Sequence, residues 1–463
     1  MGDFDVVVIG GGTGNKVALA AAERGLDVAL IERGPIGGTC VNRGCNPSKT
    51  LIHRADIAET IARADEFGIE GDVGEIDFEG IVHEVTETVD GKSERMEQTD
   101  RDHDNITLYR EEARFVDERT LEVGSGERVS GGKVVVAAGA QPVVPPVDGL
   151  DAVDYLTSAD ALRLDSQPER MVIIGGGYIA AELGYFYEAL GTSVAIVGRS
   201  DLLLSNEDRE VAATFTEIAR RRHRVYTGHE ATTVSRNGEE ITVTAEDKDG
   251  REISVTGDAL LVAAGRRPNT DSLDPEAAGI DVDDRGFVKT NEYLETSAEN
   301  VWAQGDIAGN YQFKHAADRE AKYIETNALD GEREAVDYSS MGHAVFTSPQ
   351  VAGTGRTEAE LRGDGRKYVV GRCAYADTVM GKALKEQDGF VKVLAAPDEG
   401  TILGCHIIGP DASTLIHEVL LSLASGSGTI SDVTDTIHIH PTLSKVVLKA
   451  FEDVNRTDSV ENP

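Results

Sequence analysis

The sequence contains, twice, a short apolar run followed by a glycine-rich loop, a helical stretch and a second apolar run. The first copy has apolar runs at 4–9 and 27–32, joined by the loop GGGTGN and a helical stretch that ends near Arg24. The second copy covers residues 171–197. A strand, a crossover helix and a parallel strand joined in this way form the dinucleotide-binding unit of open α/β sheets. We therefore expect two doubly wound domains that each bind a nucleotide.

The charge of the chain is strongly negative, with 82 acidic and 45 basic residues and a formal net charge of −37. The acidic residues are spread along the chain, as in EGDVGEIDFEG and DPEAAGIDVDD. Such a surface repels nucleic acids and anionic membranes, which bind basic patches. It is typical of folded proteins that stay soluble in concentrated salt. We expect a halophilic source, with no nucleic-acid or membrane partner.

Nothing in the sequence predicts export or membrane insertion. The N-terminal segment MGDFDVVVIGGG starts a strand, and no stretch approaches the roughly 20 apolar residues that span a bilayer. The four cysteines are few for a secreted protein. We expect a cytoplasmic protein, and in that compartment a close pair of cysteines is more often catalytic or metal-binding than structural.

The first glycine loop has the residue types that a pyrophosphate site requires. Gly10 permits a tight turn, and Gly12 lets the backbone approach a pyrophosphate at the positive end of the next helix. Gly14 lies in the same loop, whereas Asn15 replaces the third glycine of the usual pattern. Glu32 ends the second strand, where a carboxylate would hold a ribose diol. The alternative is an ordinary turn between a strand and a helix.

Two cysteines, Cys40 and Cys45, follow directly in the segment GGTCVNRGCNPSK. A helix N-terminus there would stabilise a thiolate, and Lys49 lies one turn further on. The pair predicts a redox centre; the alternatives are two inert thiols or two zinc ligands, although a zinc site usually needs a second close pair. We expect no metal. Cys373 and Cys405 lie singly in apolar segments and are expected to be buried, inert thiols.

The second glycine loop contains Gly175 and Gly177, and the strand after its helix ends differently from the first. Gly198 lies where NADH-binding sites carry an acid for the 2′-hydroxyl group, and Arg199 follows it. An arginine is a suitable donor for a 2′-phosphate, so the pattern favours NADPH over NADH. The arginines at 220–222 either add to this site or form a solvated helix face.

The segment around the cysteines resembles the active-site signature of the class I pyridine nucleotide–disulfide oxidoreductases, and the resemblance extends over essentially the whole chain. The segment AQGDI at 303–307 resembles the second FAD motif, whose aspartate is Asp306 here, and HPT at 440–442 resembles the catalytic His-Pro element. The resemblance implies a homodimer with three domains. These are an FAD-binding domain at 1–148 and 271–342, an NAD(P)H-binding domain at 149–270 and a C-terminal α+β dimerisation domain at 343–463.

The same resemblance implies the role of each site residue. Cys45 is the flavin-proximal thiolate, Cys40 attacks the substrate disulfide, and His440 of the partner subunit exchanges the proton. His438 fits a His-x-His-Pro pattern but is not expected to act directly. Tyr178 covers the flavin until nicotinamide displaces it. The remaining implied contacts are Thr39, Lys49, Ala113 and Gly139 for FAD, with Glu182, which pairs with Lys49, and Gly265 for NADPH.

One position departs from the family pattern. Lys445 stands where the family has a glutamate that orients the catalytic imidazole, and a cation cannot accept the ring N–H. Either another acceptor holds His440, or its imidazole is less basic than usual.

The expected reaction is the NADPH-dependent reduction of a small-thiol disulfide. No cysteine follows His440, which disfavours mercuric reductase and the large thioredoxin reductases. The loop GTGN and residues 311–316 (YQFKHA) look most similar to mycothione reductase and its relatives. Because halophilic archaea use γ-glutamylcysteine, bis-γ-glutamylcystine is the specific expectation. The alternatives are an NAD-dependent dihydrolipoamide dehydrogenase and a non-catalytic flavoprotein redox sensor.

Overall fold

The first apolar run forms strand β1 (Gly2–Ile9), and its valines at 6–8 are completely buried. This is typical of a parallel strand covered by helices on both faces. The computed structural model describes residues 2–454, so Met1 of the predicted first domain and residues 455–463 of the third lie outside it. The elements that follow β1 are α1 (Gly14–Glu23), β2 (Val28–Ile31), α2 (Gly38–Arg43), α3 (Cys45–Ala62), α4 (Phe78–Asp102), β3 (Ile106–Tyr109), β4 (Ala113–Asp117), β5 (Thr120–Val123), β6 (Arg128–Val136) and β7 (Ala140–Pro142).

The second unit repeats this arrangement. Its four-stranded parallel sheet has the order β10-β9-β8-β14, and an antiparallel sheet of β11, β12 and β13 lies in the same unit. Strand β15 pairs with β7 of the first unit. The bounds are α5 (Ser158–Ala161), β8 (Arg170–Ile174), α6 (Tyr178–Ala189), β9 (Ser193–Gly198), α7 (Arg209–Arg222), β10 (Arg224–Thr227), β11 (His229–Asn237), β12 (Glu240–Asp247), β13 (Glu252–Gly257), β14 (Ala259–Val262) and β15 (Arg266–Pro268).

The chain then returns to the first sheet. Strand β16 (Val301–Ala303) pairs in parallel with β6, and α8 (Lys314–Ile324) comes after it. The seven-stranded sheet therefore has the order β3-β2-β1-β6-β5-β4, with β16 added to β6. Its strands come from two separate parts of the chain, as in the predicted first domain, whose limits stay a prediction.

The last unit is an antiparallel sheet of five strands in the order β17-β18-β21-β20-β19. Cys373 and Cys405 are buried in its core, as predicted. Ile437 and Ile439 are 94% and 74% exposed, which is unusual for large apolar side chains. The bounds are β17 (Gly342–Val345), β18 (Val351–Gly355), α9 (Glu358–Gly363), β19 (Val369–Ala374), α10 (Val379–Ala383), β20 (Phe390–Ala395), β21 (Ile402–Ile408), α11 (Ala412–Ser425), α12 (Ile430–Thr434) and α13 (Ser444–Val454).

The predicted fold class, two doubly wound α/β units followed by an α+β unit, is confirmed. Among residues 2–454, no helix is both long enough and apolar enough to cross a membrane.

Candidate active site

A single large cavity joins the two glycine loops to the cysteine pair. Its volume is about 1590 Å³, which exceeds the roughly 300–1,000 Å³ typical of a pocket for one small molecule. Segments far apart in the sequence therefore meet around one space. The predicted site residues that line it are Gly12, Glu32, Thr39, Cys40, Cys45, Lys49, Gly139, Gly175, Gly177, Tyr178, Glu182, Arg199, Gly265 and Asp306.

Two glycines of the first loop, Gly10 and Gly14, do not line the cavity but permit close packing next to it. Gly10 has a φ of +108°, and a Cβ atom there would lie 2.2 Å from the carbonyl oxygen of Ala137. A Cβ atom on Gly14 would lie 2.9 Å from the side chain of Ala137, so Gly14 permits the close approach of α1 to the sheet. This is the contact that the third glycine of the pattern usually permits. Asn15 is instead buried, and its amide donates to Asp100 at 2.5 Å.

Glu32 is fixed at the end of β2. Its two carboxylate oxygens accept hydrogen bonds from the backbone N–H groups of Gly11, at 2.7 Å, and Gly34, at 2.6 Å. The side chain thus stands beside the loop, where a ribose could reach it. Ala113 is different: it starts β4, its side chain is buried in the core, and it is not among the residues that line the cavity. Its backbone contact with adenine stays a prediction.

The cavity wall also contains polar groups that require a polar ligand. The side chain of Gln304 is fully buried, and neither of its amide atoms has a hydrogen-bond partner within residues 2–454. An orphaned amide of this kind is costly unless a ligand completes it. Next to it, burial raises the pKa of Asp306, although Arg266 lies 3.6 Å away. These residues fit the polar part of a nucleotide cofactor.

The two cysteines lie on successive helices, with Cys40 on α2 and Cys45 at the first residue of α3. The hydrogen bond with Cys40 lowers the pKa of Cys45 to about 7 against the effect of burial, and the charge of Lys49 lowers it further. The same hydrogen bond, together with burial, raises the pKa of Cys40. These effects favour the thiolate form of Cys45 over that of Cys40. Among the described residues, no group of three or more His, Cys, Asp or Glu side chains could hold a metal ion.

Lys49 and Glu182 connect α3 to α6. The Nζ atom of Lys49 lies 2.6 Å from Oε2 of Glu182, and Oε1 of Glu182 accepts from the backbone N–H of Phe346 at 3.0 Å. The ammonium group also lies 4.9 Å from the ring centre of Phe346. These contacts hold the positive charge of Lys49 one turn beyond Cys45.

The strand that follows the second glycine loop ends in a glycine, whereas the strand that follows the first loop is followed by an acid. Gly175 has a φ of +137°, and Gly198 ends β9 without a side chain. Arg199 is 82% exposed, and its Nη1 atom lies 3.9 Å from Oε1 of Glu230, which also lines the cavity. No pattern in the sequence pointed to Glu230, because it lies on β11, a different strand. It places a carboxylate within reach of the predicted 2′-phosphate site.

The arginines at 220–222 do not line the cavity. They end α7 and pair with acidic residues instead. Their partners, in order, are Glu217, Asp388 and Glu59. Of the two interpretations left open for this basic run, the structure therefore supports a helix face over a phosphate site.

His440 is exposed and does not line the cavity of its own chain. It precedes α13, whose second residue is Lys445. Two residues before it, the side chain of His438 is only 3% exposed, and its Nε2 atom lies 2.8 Å from Oε2 of Glu418. His438 therefore anchors the segment that presents His440. The acid that holds His438, Glu418, lies on α11 and was missed in the sequence.

Comparison with known proteins matches nearly all of the chain. The family model "Pyridine nucleotide-disulphide oxidoreductase" matches residues 4–321, and the model of its dimerisation domain matches residues 341–451. Mycothione reductase from Mycobacterium tuberculosis is 35% identical, with 97% of this chain and 99% of that protein covered. Dihydrolipoyl dehydrogenase from Haloferax volcanii is 34% identical, with 97% and 96% covered.

A solved structure agrees with these matches. The HOCl-induced flavoprotein disulfide reductase RclA from Escherichia coli superposes with a TM-score of 0.85 at 28% identity, covering 97% of this chain and 99% of that chain. The matched dimerisation domain supports a homodimer. With its paired cysteines and its two nucleotide loops around one cavity, the chain belongs to the pyridine nucleotide–disulphide oxidoreductase family and is an FAD-dependent enzyme that uses NAD(P)H.

Proposed function

We propose that this enzyme uses NADPH to reduce the disulfide of a low-molecular-weight thiol, with bis-γ-glutamylcystine as the expected substrate. The observation that carries the proposal is the asymmetry of the cysteine pair. Cys45 has a pKa lowered to about 7, whereas the pKa of Cys40 is raised. Cys45 is thus suited to remain a thiolate, whereas Cys40 needs the charge of Lys314 and a base to become the thiolate that exchanges with substrate.

The reduced pair can transfer two electrons to a disulfide in two exchanges. FAD, when bound, passes electrons from the nicotinamide to the cysteine pair. Cys40, as a thiolate, attacks one sulfur of the substrate, whose S–S bond breaks and releases a first thiol. Cys45 then attacks the sulfur of Cys40, which releases the second thiol and restores the Cys40–Cys45 bond. His440 of the partner subunit would hold the proton of Cys40 and give it to the first leaving thiol.

Charged residues near Cys40 support a small ionic substrate. Lys314 lines the cavity, and its positive charge acts on Cys40. Asp318 pairs with Lys314 and also with Lys16, whose Nζ atom lies 2.9 Å away. Of these three groups Lys314 lines the cavity, and its ammonium group complements a carboxylate of a γ-glutamyl group. Lipoamide has no carboxylate.

The choice of coenzyme rests on the end of β9. With no acid at Gly198, a 2′-phosphate meets no repulsion there, and the exposed Arg199 can bind it. Glu230 is the observation that favours the other candidate, an NAD-dependent dihydrolipoamide dehydrogenase, because its carboxylate competes for the same guanidinium group.

The remaining features of the proposal concern the assembly and the environment. The exposed His440, flanked by Ile437 and Ile439, fits a surface that a second copy covers in a homodimer. The net charge of −37 fits a halophilic source. The small number of cysteines fits a reducing, cytoplasmic compartment.

A disulfide panel at high salt tests the proposal. The FAD holoenzyme is assayed with NADPH or NADH against bis-γ-glutamylcystine, mycothione, glutathione disulfide and lipoamide. We expect the highest kcat/KM with NADPH and bis-γ-glutamylcystine. A strong preference for NADH and lipoamide would establish the dehydrogenase instead. If the reduced enzyme is reoxidised by none of the disulfides, the protein is a redox sensor and not a reductase.

A further inference from the structure

We propose that Glu230 is a second determinant of coenzyme choice, because its carboxylate opposes the 2′-phosphate that Arg199 binds and so narrows the preference for NADPH over NADH. The inference rests on the proposed function, which puts the 2′-phosphate at Arg199. Glu230 lies on β11, outside the glycine loop and the strand end that the sequence singled out. It would therefore be a specificity-determining residue that no local pattern reveals.

Glu230 and Arg199 approach each other at the surface of the cavity. Both line it, and Oε1 of Glu230 lies 3.9 Å from Nη1 of Arg199. The side chain of Arg199 is 82% exposed and that of Glu230 is 67% exposed. An ion pair so accessible to solvent contributes little to stability. The guanidinium group can therefore turn to a bound phosphate, while the carboxylate stays beside it.

The backbone holds Glu230 close to the end of β9. The N–H of Gly228, two residues before it, donates to the carbonyl oxygen of Ser200 at 2.8 Å. Two residues after it, the carbonyl oxygen of Thr232 accepts from the N–H of Asp148 at 3.0 Å. Strand β11 is thus tied on both sides of Glu230, and the first tie is to the loop that follows β9. The carboxylate therefore stays within reach of that loop when a nucleotide enters.

The charges around this part of the cavity are unequal. Between residues 149 and 265, Arg199 is the only lysine or arginine that lines the cavity. Glu246 lies directly opposite Glu230 on β12, and directly opposed residues of an antiparallel pair share one face of the sheet. A 2′-phosphate thus meets one guanidinium group and a local excess of carboxylates. Removing the carboxylate nearest to the guanidinium group should strengthen binding of the phosphate.

The two coenzymes differ in charge at the position that Glu230 faces. A 2′-phosphate is an anion, which a neighbouring carboxylate repels with a strength that depends on screening by solvent and salt. The 2′-hydroxyl group of NADH carries no charge, and a carboxylate can accept a hydrogen bond from it. Glu230 therefore weakens the binding of NADPH without weakening that of NADH.

Titration calorimetry of the FAD holoenzyme with NADP⁺, and separately with NAD⁺, tests the inference. Glu230→Gln keeps the shape of the side chain and removes its charge. We expect the Kd of NADP⁺ to fall about fivefold, the effect of one exposed pair of charges, and the Kd of NAD⁺ to change by less than about twofold. Glu230→Lys, which reverses the charge, should lower the Kd of NADP⁺ further. The ratio of kcat/KM with NADPH to kcat/KM with NADH should rise by similar factors.

The salt dependence of binding separates an effect of charge from an effect of shape. In Glu230→Gln the attraction of Arg199 acts without the opposing carboxylate, so added salt should weaken NADP⁺ binding more than in the unaltered protein. In Arg199→Ala the repulsion by Glu230 remains, so added salt should strengthen NADP⁺ binding relative to the unaltered protein. NAD⁺ measured at the same salt concentrations serves as the reference.

Glu252→Gln is the matched control. Glu252 on β13 pairs with Glu246, so it lies two strands away from Glu230; it is exposed and does not line the cavity. The change gives the protein the same net charge as Glu230→Gln. Both Kd values should stay within about twofold of those of the unaltered protein.

Two results would overturn the inference. One is an unchanged ratio of the two Kd values in Glu230→Gln, and the other is an equal change of that ratio in Glu252→Gln. Both differ from failure of the proposed coenzyme choice, in which the unaltered protein binds NAD⁺ more tightly than NADP⁺.

Discussion

The two glycine loops have the same backbone turn but different residues at the end of the next strand. Gly10 and Gly175 both have positive φ, at +108° and +137°, and a Cβ atom on either would lie 2.2 Å from a backbone carbonyl oxygen. After the first loop, Glu32 is fixed by two backbone N–H groups. After the second, Gly198 leaves space and Arg199 is exposed. We therefore expect the loop to permit the approach of a dinucleotide, and the residue at the strand end to select which dinucleotide binds.

The largest expected effect is that of Cys40→Ser, which should separate disulfide turnover at the cysteine pair from flavin reduction through the second glycine loop. We expect disulfide turnover to fall at least about a thousandfold, as for loss of a catalytic nucleophile. Flavin reduction by NADPH should continue, because the second loop is unchanged. Stopped-flow absorbance of the flavin and steady-state turnover measure the two steps. Retention of turnover would mean that Cys40 is not the exchanging thiol.

Alanine at the first glycine of each loop should impair nucleotide binding at that loop and leave the other loop intact. Gly10→Ala and Gly175→Ala each force a backbone shift, at a cost of about 3 kcal/mol or more. We expect Gly10→Ala to lose FAD, and Gly175→Ala to keep FAD and bind NADPH about a hundredfold more weakly. Bound flavin and nucleotide titrations measure this. Gly250→Ala is the control, because Gly250 has a φ of +76° but no neighbour within 4 Å.

Arg199→Ala tests whether the arginine that follows β9 recognises the 2′-phosphate of NADPH. We expect kcat/KM with NADPH to fall about tenfold or more, as for a hydrogen bond to a charged group, and kcat/KM with NADH to change little. Steady-state kinetics with both coenzymes measure the ratio. Arg220→Ala serves as the control, since Arg220 does not line the cavity. Equal losses with both coenzymes would show that Arg199 does not recognise the 2′-phosphate.

Lys49→Met should give the smallest effect. The thiolate of Cys45 is the reactive form, and it is lost as the pH falls through its pKa of about 7. Without the positive charge of Lys49 that pKa should rise, so thiol reactivity should be lost at a higher pH than in the unaltered protein. Alkylation of the reduced protein by iodoacetamide across a pH series measures it. Lys248→Met, in an exposed turn, should leave the profile unchanged.

Local patterns in the sequence were enough to predict both nucleotide units, because glycine turns and apolar strands are recognisable without their tertiary neighbours. Helix α4 was missed although a signal was present, since Phe78, Val82, Val85 and Val89 recur at helical spacing and are buried. The polar residues between these four apolar residues made the helical spacing difficult to recognise in the sequence.

Several residues of the site had no signal in the sequence. Glu230 approaches Arg199 from another strand, and the orphaned amide of Gln304 is evident only once its burial is known. The resemblance placed Lys49 beside Glu182, and the structure shows that contact directly.

The exposure of His440, together with Ile437 and Ile439, has a consequence for how the enzyme responds to dilution. If each cavity receives its histidine from the other copy, activity is a property of the pair, and it falls with the square of subunit concentration below the dissociation constant. Each copy carries a net charge of −37, so lowering the salt strengthens the repulsion between them. As the salt concentration is lowered, turnover would then fall because the subunits dissociate, at a salt concentration at which each subunit is still folded.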